Sequence, residues 1–501
     1  MLRKIRTVLA AVVFMLVTLL FVDVSGVLHH WLSWLAEIQL WPALLALNAG
    51  VIVALVVVTL VFGRIYCSVI CPLGIMQDAV SHVRSRHKRN RFRYSPEKKA
   101  WRYGFLAVFL VAFAAGIGSL VALLAPYSSY GRMAENLLRP LWGLGNNLLA
   151  AIAERLDSYA FYSVDVWVKS LPTFIIAAVS FVVIGFLAWR SGRTYCNTVC
   201  PVGTMFSFLA RFSWLKVHID TGKCNACGLC ARNCKASCID SKNHRIDYSR
   251  CVVCGDCIDK CHQHAITFRH GRPQLAASAA GTGAGHIDQA VVDSARRSFL
   301  LGVAMATTSA ALAQEKKKVD GGLAVIEDKV APERATPITP PGSLSAQNMA
   351  RRCTGCQLCV SQCPNGVLRP STGLLSMMQP TVSYERGYCR PECTRCSEVC
   401  PTGAIRPITK AEKSSVQIGH AVWVRKNCVP LTDGVECGNC ARHCPAGAIT
   451  MVSSDPANPA APKIPAVNEA RCIGCGACEN LCPARPFSAI YVEGHEQHRV
   501  I

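Results

Sequence analysis

Four stretches of the chain are almost free of polar side chains: residues 9–22, 44–62, 105–124 and 174–189. With their flanks, each comes close to the roughly 20 apolar residues that carry a helix across a bilayer. The pattern predicts an α-helical membrane domain of four spans over residues 1–215. Lysine and arginine are spread unevenly between the stretches. Residues 23–43 contain none, residues 64–102 contain ten, and residues 126–173 contain four, balanced by Glu135, Glu154, Asp157 and Asp165. Cytoplasmic loops carry the excess of positive charge, which orients the N-terminus, the 64–102 loop and residues 190–295 to the cytoplasm. Trp31, Trp34 and Trp41 are then expected as an aromatic belt at the outer interface, with His29 and His30 beside them. Residues 133–156 read as an interfacial helix.

A further apolar stretch, residues 299–313, is shorter and rich in Ala, Thr and Gly. Arg296 and Arg297 precede it, Phe299 and Leu300 follow the pair, and Ala311-Leu312-Ala313 ends it with a small-x-small cleavage pattern. Residues 294–314 therefore read as an internal twin-arginine export signal. Ala295 and Leu301 depart from its commonest form, and an ordinary apolar helix behind two arginines is the alternative. A signal here would place residues 315–501 in the periplasm, either after cleavage behind Ala313 or tethered by a short fifth span. As a helix the stretch is about 22 Å long, and retention is the favoured reading. Residues 271–293, rich in Ala, Gly and Ser, read as a flexible linker. Residues 315–350, with a lysine run and then prolines, read as a periplasmic tether.

The net charge of +22 could suggest nucleic acid. The basic residues crowd beside the apolar stretches, however, so no nucleic-acid partner is expected. The 29 cysteines carry the chemistry. They fall in Cys-x2-Cys groups, which suits cluster ligation rather than a disulfide framework. No nucleophile triad, phosphate loop or nucleotide-binding glycine motif accompanies them.

Two cysteine pairs sit in a repeat. Residues 63–76 and 192–205 share the pattern G-R-x-Y-C-x3-C-P-x-G-x-M, each copy following an apolar stretch. Two such halves suggest a pseudo-twofold axis along the membrane normal. The axis would bring Cys67, Cys71, Cys196 and Cys200 together as ligands of a redox cofactor, most simply an additional iron–sulfur cluster. Structural turns with inert buried cysteines are the bland alternative.

Residues 216–270 hold Cys224, Cys227, Cys230 and Cys234, then Cys251, Cys254, Cys257 and Cys261. Both sets follow C-x2-C-x2-C-x3-C, the spacing of bacterial two-cluster ferredoxins. In that arrangement the fourth cysteine ligates the other cluster, so Cys261 is expected to complete the first site and Cys234 the second. Lys235 and His262 replace the usual proline, and Cys238 is left over as a substitute for Cys234. A zinc ribbon fits poorly, because zinc takes four ligands rather than eight in this rhythm.

Residues 351–501 hold four more sets: Cys353, Cys356, Cys359 and Cys363; Cys389, Cys393, Cys396 and Cys400; Cys428, Cys437, Cys440 and Cys444; Cys472, Cys475, Cys478 and Cys482. Each is closed by a proline. The recurring Cys-Pro-x-Gly-Ala-Ile at 400–405 and 444–449 predicts a turn leading into a short strand. The expected fold is thus a helical membrane domain with α+β ferredoxin-like modules on both sides. The ligand count gives six 4Fe–4S clusters, and a seventh if the membrane repeat holds one.

Residues 1–270, with their apolar stretches, paired C-x3-C-P motifs and two cytoplasmic sets, resemble the membrane subunit NapH of the periplasmic nitrate reductase system. Residues 294–501 resemble its exported partner, the NapG/MauM ferredoxin family. The chain looks like a fusion of the two. The resemblance implies a quinol dehydrogenase-type oxidoreductase of the bacterial inner membrane. It would take quinol from the membrane pool and pass electrons to a periplasmic reductase or c-type cytochrome, with the twin-arginine machinery exporting its second half. The family also serves nitrous-oxide reduction and methylamine dehydrogenase maturation, so the acceptor stays open. Two other readings are a maturation factor for an exported metalloenzyme and a relay of cytoplasmic electrons to the periplasm. Related four-cluster subunits also imply nested sharing, with Cys482 joining the Cys353 set and Cys444 joining the Cys389 set.

Overall fold

The computed structural model describes residues 2–23, 26–87, 92–270, 328–458 and 461–501. The twin-arginine signal at 294–314, the 271–293 linker and the first part of the tether lie outside these residues.

Among the described residues, two helices are long and apolar enough to cross a membrane, Arg3–Val22 and Leu171–Ser191. The other two expected spans are interrupted. Residues 44–62 divide into a short helix, Leu40–Leu45, and a longer one, Ala49–Phe62, because Leu47 takes a positive φ of 55° and Asn48 caps the second helix through Val51 N. An Asn cap starts a helix by satisfying an otherwise orphaned N–H. Residues 105–124 divide between Lys99–Ala114 and Gly118–Leu124 around Gly116, whose φ of 73° ends the first helix. The aromatic belt is also incomplete. Trp31 and Trp34 are exposed, but Trp41 is buried edge-on against Phe109 and Phe113. The helix expected over 133–156 forms as a five-residue π-helical turn, Ala134–Leu138, followed by Arg139–Arg155. Leu141, Trp142, Leu144 and Leu148 remain exposed along it, as an interfacial helix requires.

Residues 215–270 form a small module. Strand Leu215–Ile219 pairs antiparallel with Ile266–His270, and short helices Leu229–Asn233 and Asp256–Asp259 stand between them. The C-terminal module is built from three antiparallel strand pairs, the longest joining Val416–Trp423 to Ile490–Val500. Ile449–Ser453 is the strand expected after the third cysteine set. Residues 401–405 stay irregular, because Arg406 N donates to Gly342 O instead of to a neighbouring strand. The described end of the tether is not loose. Lys329 Nζ donates to the carbonyls of Glu479, Asn480 and Cys482, and Arg334 pairs with Glu479.

The first helix touches a different module at each end. Near its start, Arg3 pairs with Asp256 at 3.0 Å and Asp259 at 3.2 Å. At its far end, Leu20 O and Asp23 O both accept from Gln362 Nε2 at 3.1 Å. A helix of 21 residues is about 31 Å long, close to the thickness of a bilayer core.

Candidate iron–sulfur sites

The repeat forms a crossed pair of hairpin-like turns. Gly63 and Gly192 turn the chain out of helices Ala49–Phe62 and Leu171–Ser191 at φ 75° and 66°. The following arginines then reach across to the opposite copy. Arg64 Nη2 donates to Cys196 O at 3.2 Å, and Arg193 Nη1 donates to Cys67 O at 2.5 Å. The second glycine of each copy is needed for the same crossing. A Cβ on Gly74 would collide with Cys67 O and the Arg193 guanidinium, and one on Gly203 with Cys196 O and Arg64. The invariant spacing of the two motifs is therefore the footprint of one reciprocal contact. It gathers Cys67, Cys71, Cys196 and Cys200 into one buried core, where each lies within electrostatic reach of others. Donors point at the sulfurs: Gln77 Nε2 to Cys196 Sγ at 3.2 Å, Gly203 N to Cys200 Sγ at 3.3 Å and Arg64 Nη2 to Cys67 Sγ at 3.8 Å. Hydrogen bonds of this kind tune a cluster's potential. Four buried thiols within electrostatic reach of one another, with donors aimed at three of the sulfurs, fit an iron–sulfur group.

In the 215–270 module Cys224, Cys227 and Cys230 lie together, and burial pushes the Cys230 thiol up to about 11. Cys234, Cys251, Cys254 and Cys257 form the second group, as the crossed-ligand rule expects. Cys261 packs into the same small core. Cys238 Sγ sits 3.5 Å from Cys234 Sγ and also hydrogen-bonds Cys251. It therefore touches the second group rather than standing apart.

The four C-terminal sets share cysteines between neighbours in sequence, not in the nested order. Cys400 lies with Cys353, Cys356 and Cys359, and Cys363 lies with Cys389, Cys393 and Cys396. Cys482 closes the group of Cys428, Cys437 and Cys440, and Cys444 that of Cys472, Cys475 and Cys478. The nested pairing is overturned because each pair of adjacent runs folds into its own two-site unit, the local crossing that the cytoplasmic module also uses. Backbone N–H groups again point at sulfur: Gly355 to Cys353, Ile405 to Cys400, Ala448 to Cys444 and Ala489 to Cys482. Among the described residues, no three His, Cys, Asp or Glu side chains converge on a single-ion position.

The groups are linked by side chains that sequence reasoning did not single out. Asp78 joins the first helix, the repeat and the cytoplasmic module through Arg6 at 3.0 Å, Arg193 at 2.9 Å and Lys235 at 3.7 Å. Burial opposes its charge, but these cations outweigh burial and hold its carboxyl well below the usual range. The available signal was an acid in a segment otherwise crowded with cations. On the other side, Tyr66 lies beside Cys67, Cys71 and Cys200. Tyr127 lies within electrostatic reach of Tyr66, Cys356 and Cys400, and Arg132 of Tyr195 and Cys356. Gly131 receives the Cys356 carbonyl so closely that a Cβ there would collide with it. The repeat thus sits between the Cys251 group and the Cys353 group. Within the C-terminal module, Cys359 lies near Cys396, and Cys389 N donates to Cys475 O at 2.9 Å. The Cys353, Cys389, Cys472 and Cys428 groups follow one another away from the repeat.

Comparison with known proteins agrees with this chemistry. A 4Fe-4S binding domain matches residues 44–91 and 171–221, the two copies of the repeat, and a 4Fe-4S dicluster domain matches 350–423 and 435–485. The chain is an iron–sulfur electron-transfer protein. It is 24% identical over 195 residues to the methylamine utilization ferredoxin-type protein MauN of Paracoccus denitrificans, covering 39% of this chain and 56% of that one. Over 193 residues it is 27% identical to the regulatory protein NosR of Stutzerimonas stutzeri, 37% of this chain and 22% of that one. An uncharacterized protein of Methanocaldococcus jannaschii is 44% identical over 54 residues, 11% of this chain and 21% of its own. The chain therefore spans about half or less of the relatives it matches. No solved structure matches.

Iron and acid-labile sulfide analysis of anaerobically purified protein is expected to give about 24 iron atoms from the six ferredoxin-type sites and about 28 with the repeat occupied. A value near eight would leave the exported module without clusters.

Proposed function

We propose that the chain is a multi-pass protein of the bacterial inner membrane that oxidises quinol and passes electrons to a periplasmic acceptor. The carrying observation is the succession of cysteine groups. The repeat stands between two ferredoxin-type modules that meet opposite ends of one membrane-length helix. The clusters, when bound, supply one-electron redox chemistry; the protein supplies placement and tuning. Six clusters would be held by the ferredoxin-type sets and a seventh by Cys67, Cys71, Cys196 and Cys200. The Cys428 group, farthest from the repeat along the succession, is the exit to a reductase or c-type cytochrome. In this reading the two interrupted helices complete a four-span domain, and twin-arginine export carries residues 315–501 across.

Menadiol added to the purified protein should bleach the exported clusters, and no bleaching would remove quinol as the donor. The close approach of the Cys251 group to the Arg64 and Asp78 network supports a second reading, in which cytoplasmic electrons enter through the Cys224 group. In inside-out vesicles a reduced flavodoxin, but not menadiol, would then reduce the exported module. The topology has its own test. A reporter active only in the periplasm should work when fused after Ile501 and stay silent after His270. Lys at both Arg296 and Arg297 should trap the C-terminal module inside; full export of that variant would discard the twin-arginine signal.

A further inference from the structure

A cavity of about 500 Å³ lies where the outer loops of the membrane domain meet the first exported cysteine set. That size falls within the range of small-molecule sites. One wall is the π-helical turn Ala134–Leu138 and the start of helix Arg139–Arg155, another is residues 162–169, and the third is residues 361–366 with Cys363. The cavity is apolar on one side, where Gly143, Val166 and Phe174 line it, and charged on the other. Glu135, 95% buried, accepts from Lys169 Nζ at 2.7 Å and from Arg139 at 3.1 Å. Lys169 Nζ also donates to Val360 O at 2.7 Å, next to Cys359. The acid thus sits on a π-helical turn, a distortion that recurs at functional sites. Phe174 belongs to the membrane-length helix Leu171–Ser191, and the exposed leucines of Arg139–Arg155 extend from the cavity. An amphipathic ligand with a polar ring and an apolar tail would enter there from the lipid side.

We infer that this cavity is the quinol site, with Glu135 the catalytic base. The inference rests on the quinol reading above. The quinol ring lies between Phe174 and Val166, with one hydroxyl on Glu135. Both O–H bonds break as the quinol becomes quinone. One proton goes to the Glu135 carboxylate and leaves by the exposed Asp165 at the rim, and the other goes to water at the mouth. Oxidised iron–sulfur centres, held by the Cys353 and Cys389 groups, the second of which includes Cys363, would take up the two electrons one at a time. Cys363 of the Cys389 group lines the cavity, and Lys169 on its wall reaches the Val360 carbonyl beside Cys359 of the Cys353 group.

The test uses the full chain with its clusters and menadiol as reductant, with dithionite as a control that bypasses the cavity. Glu135→Gln should slow menadiol bleaching of the exported clusters at least ten-fold, at unchanged iron content and unchanged dithionite bleaching. Positioned bases contribute on the order of 10²–10⁴ in rate. Gly143→Leu, whose Cβ would stand 2.7 Å from Val166 Cγ2, should raise the menadiol concentration for half-maximal rate. If the unmodified protein oxidises menadiol and both variants match it, the site is elsewhere while quinol oxidation stands. If the unmodified protein bleaches with dithionite only, the quinol reading falls and the inference with it. Photolabelling of unmodified protein with an azidoquinone needs no variant. Label within residues 135–174 supports the assignment, and label confined to other segments overturns it.

Discussion

Replacing Cys67 and Cys196 together by Ser is expected to lower iron content by about four atoms per chain while both ferredoxin-type modules keep theirs. Electron transfer between the 215–270 module and the C-terminal module should be lost, because the remaining path is about the thickness of a bilayer core, about 30 Å, without a carrier. Each half of the repeat supplies two thiols, and the reciprocal Arg64 and Arg193 contacts to Cys196 O and Cys67 O hold the halves together through backbone carbonyls. The serine variant leaves those carbonyls, both arginines and both glycines in place. Folding and membrane insertion should therefore persist, and the loss should be confined to the redox centre. Iron analysis, with reduction of the exported clusters by a donor confined to the cytoplasmic side, checks it. Unchanged iron and unchanged transfer would leave the four thiols as packing.

Asp78→Asn is expected to destabilise the attachment of the cytoplasmic module by roughly 3–5 kcal/mol, the usual cost of breaking a buried ion pair from one side. The aspartate answers Arg6, Arg193 and Lys235 at once, from three separate parts of the chain. Its removal leaves three cations facing one another around a neutral amide. The change should appear as protease sensitivity of residues 216–270 and a lower unfolding temperature, with the exported module unaffected. The wild-type contact should resist mild acid. Burial opposes the Asp78 charge, yet the cations hold its folded-state pKa well below the ordinary carboxylate value. The stability it contributes is then fully present above that value and is lost only as pH falls through the lower, folded one. A module that detaches already at pH 5 would mean that Asp78 does not hold it.

The cysteine groups were legible in the sequence because cluster ligation is largely local. A C-x2-C-x2-C loop wraps one face of a cubane whatever the rest of the fold does, and the proline after each exported set marks the turn that ends it. The G-R-x-Y-C-x3-C-P-x-G-x-M repeat was legible for a similar reason. Every residue of it answers to a fixed local requirement: a positive φ at Gly63 and Gly192, a crossing arginine, a thiol pair and a glycine with no room for a Cβ. Local spacing could not say which cysteine completes which exported site. That depends on which runs pack as one unit, and Cys400 and Cys363 exchange between neighbours. Apolar length alone also overstated the continuity of two helices, since Leu47 and Gly116 break runs that hydropathy reads as unbroken. The residues joining the groups, Asp78, Tyr127 and Arg132, and the Glu135–Lys169 pair on the cavity have partners 34 to 273 positions away. The sequence by itself thus determined the kind of cofactor and the number of thiols, because those follow from short-range spacing. Only the tertiary structure decided how the groups are ordered and what stands between them, because buried charge pairs and cavities arise where distant segments meet.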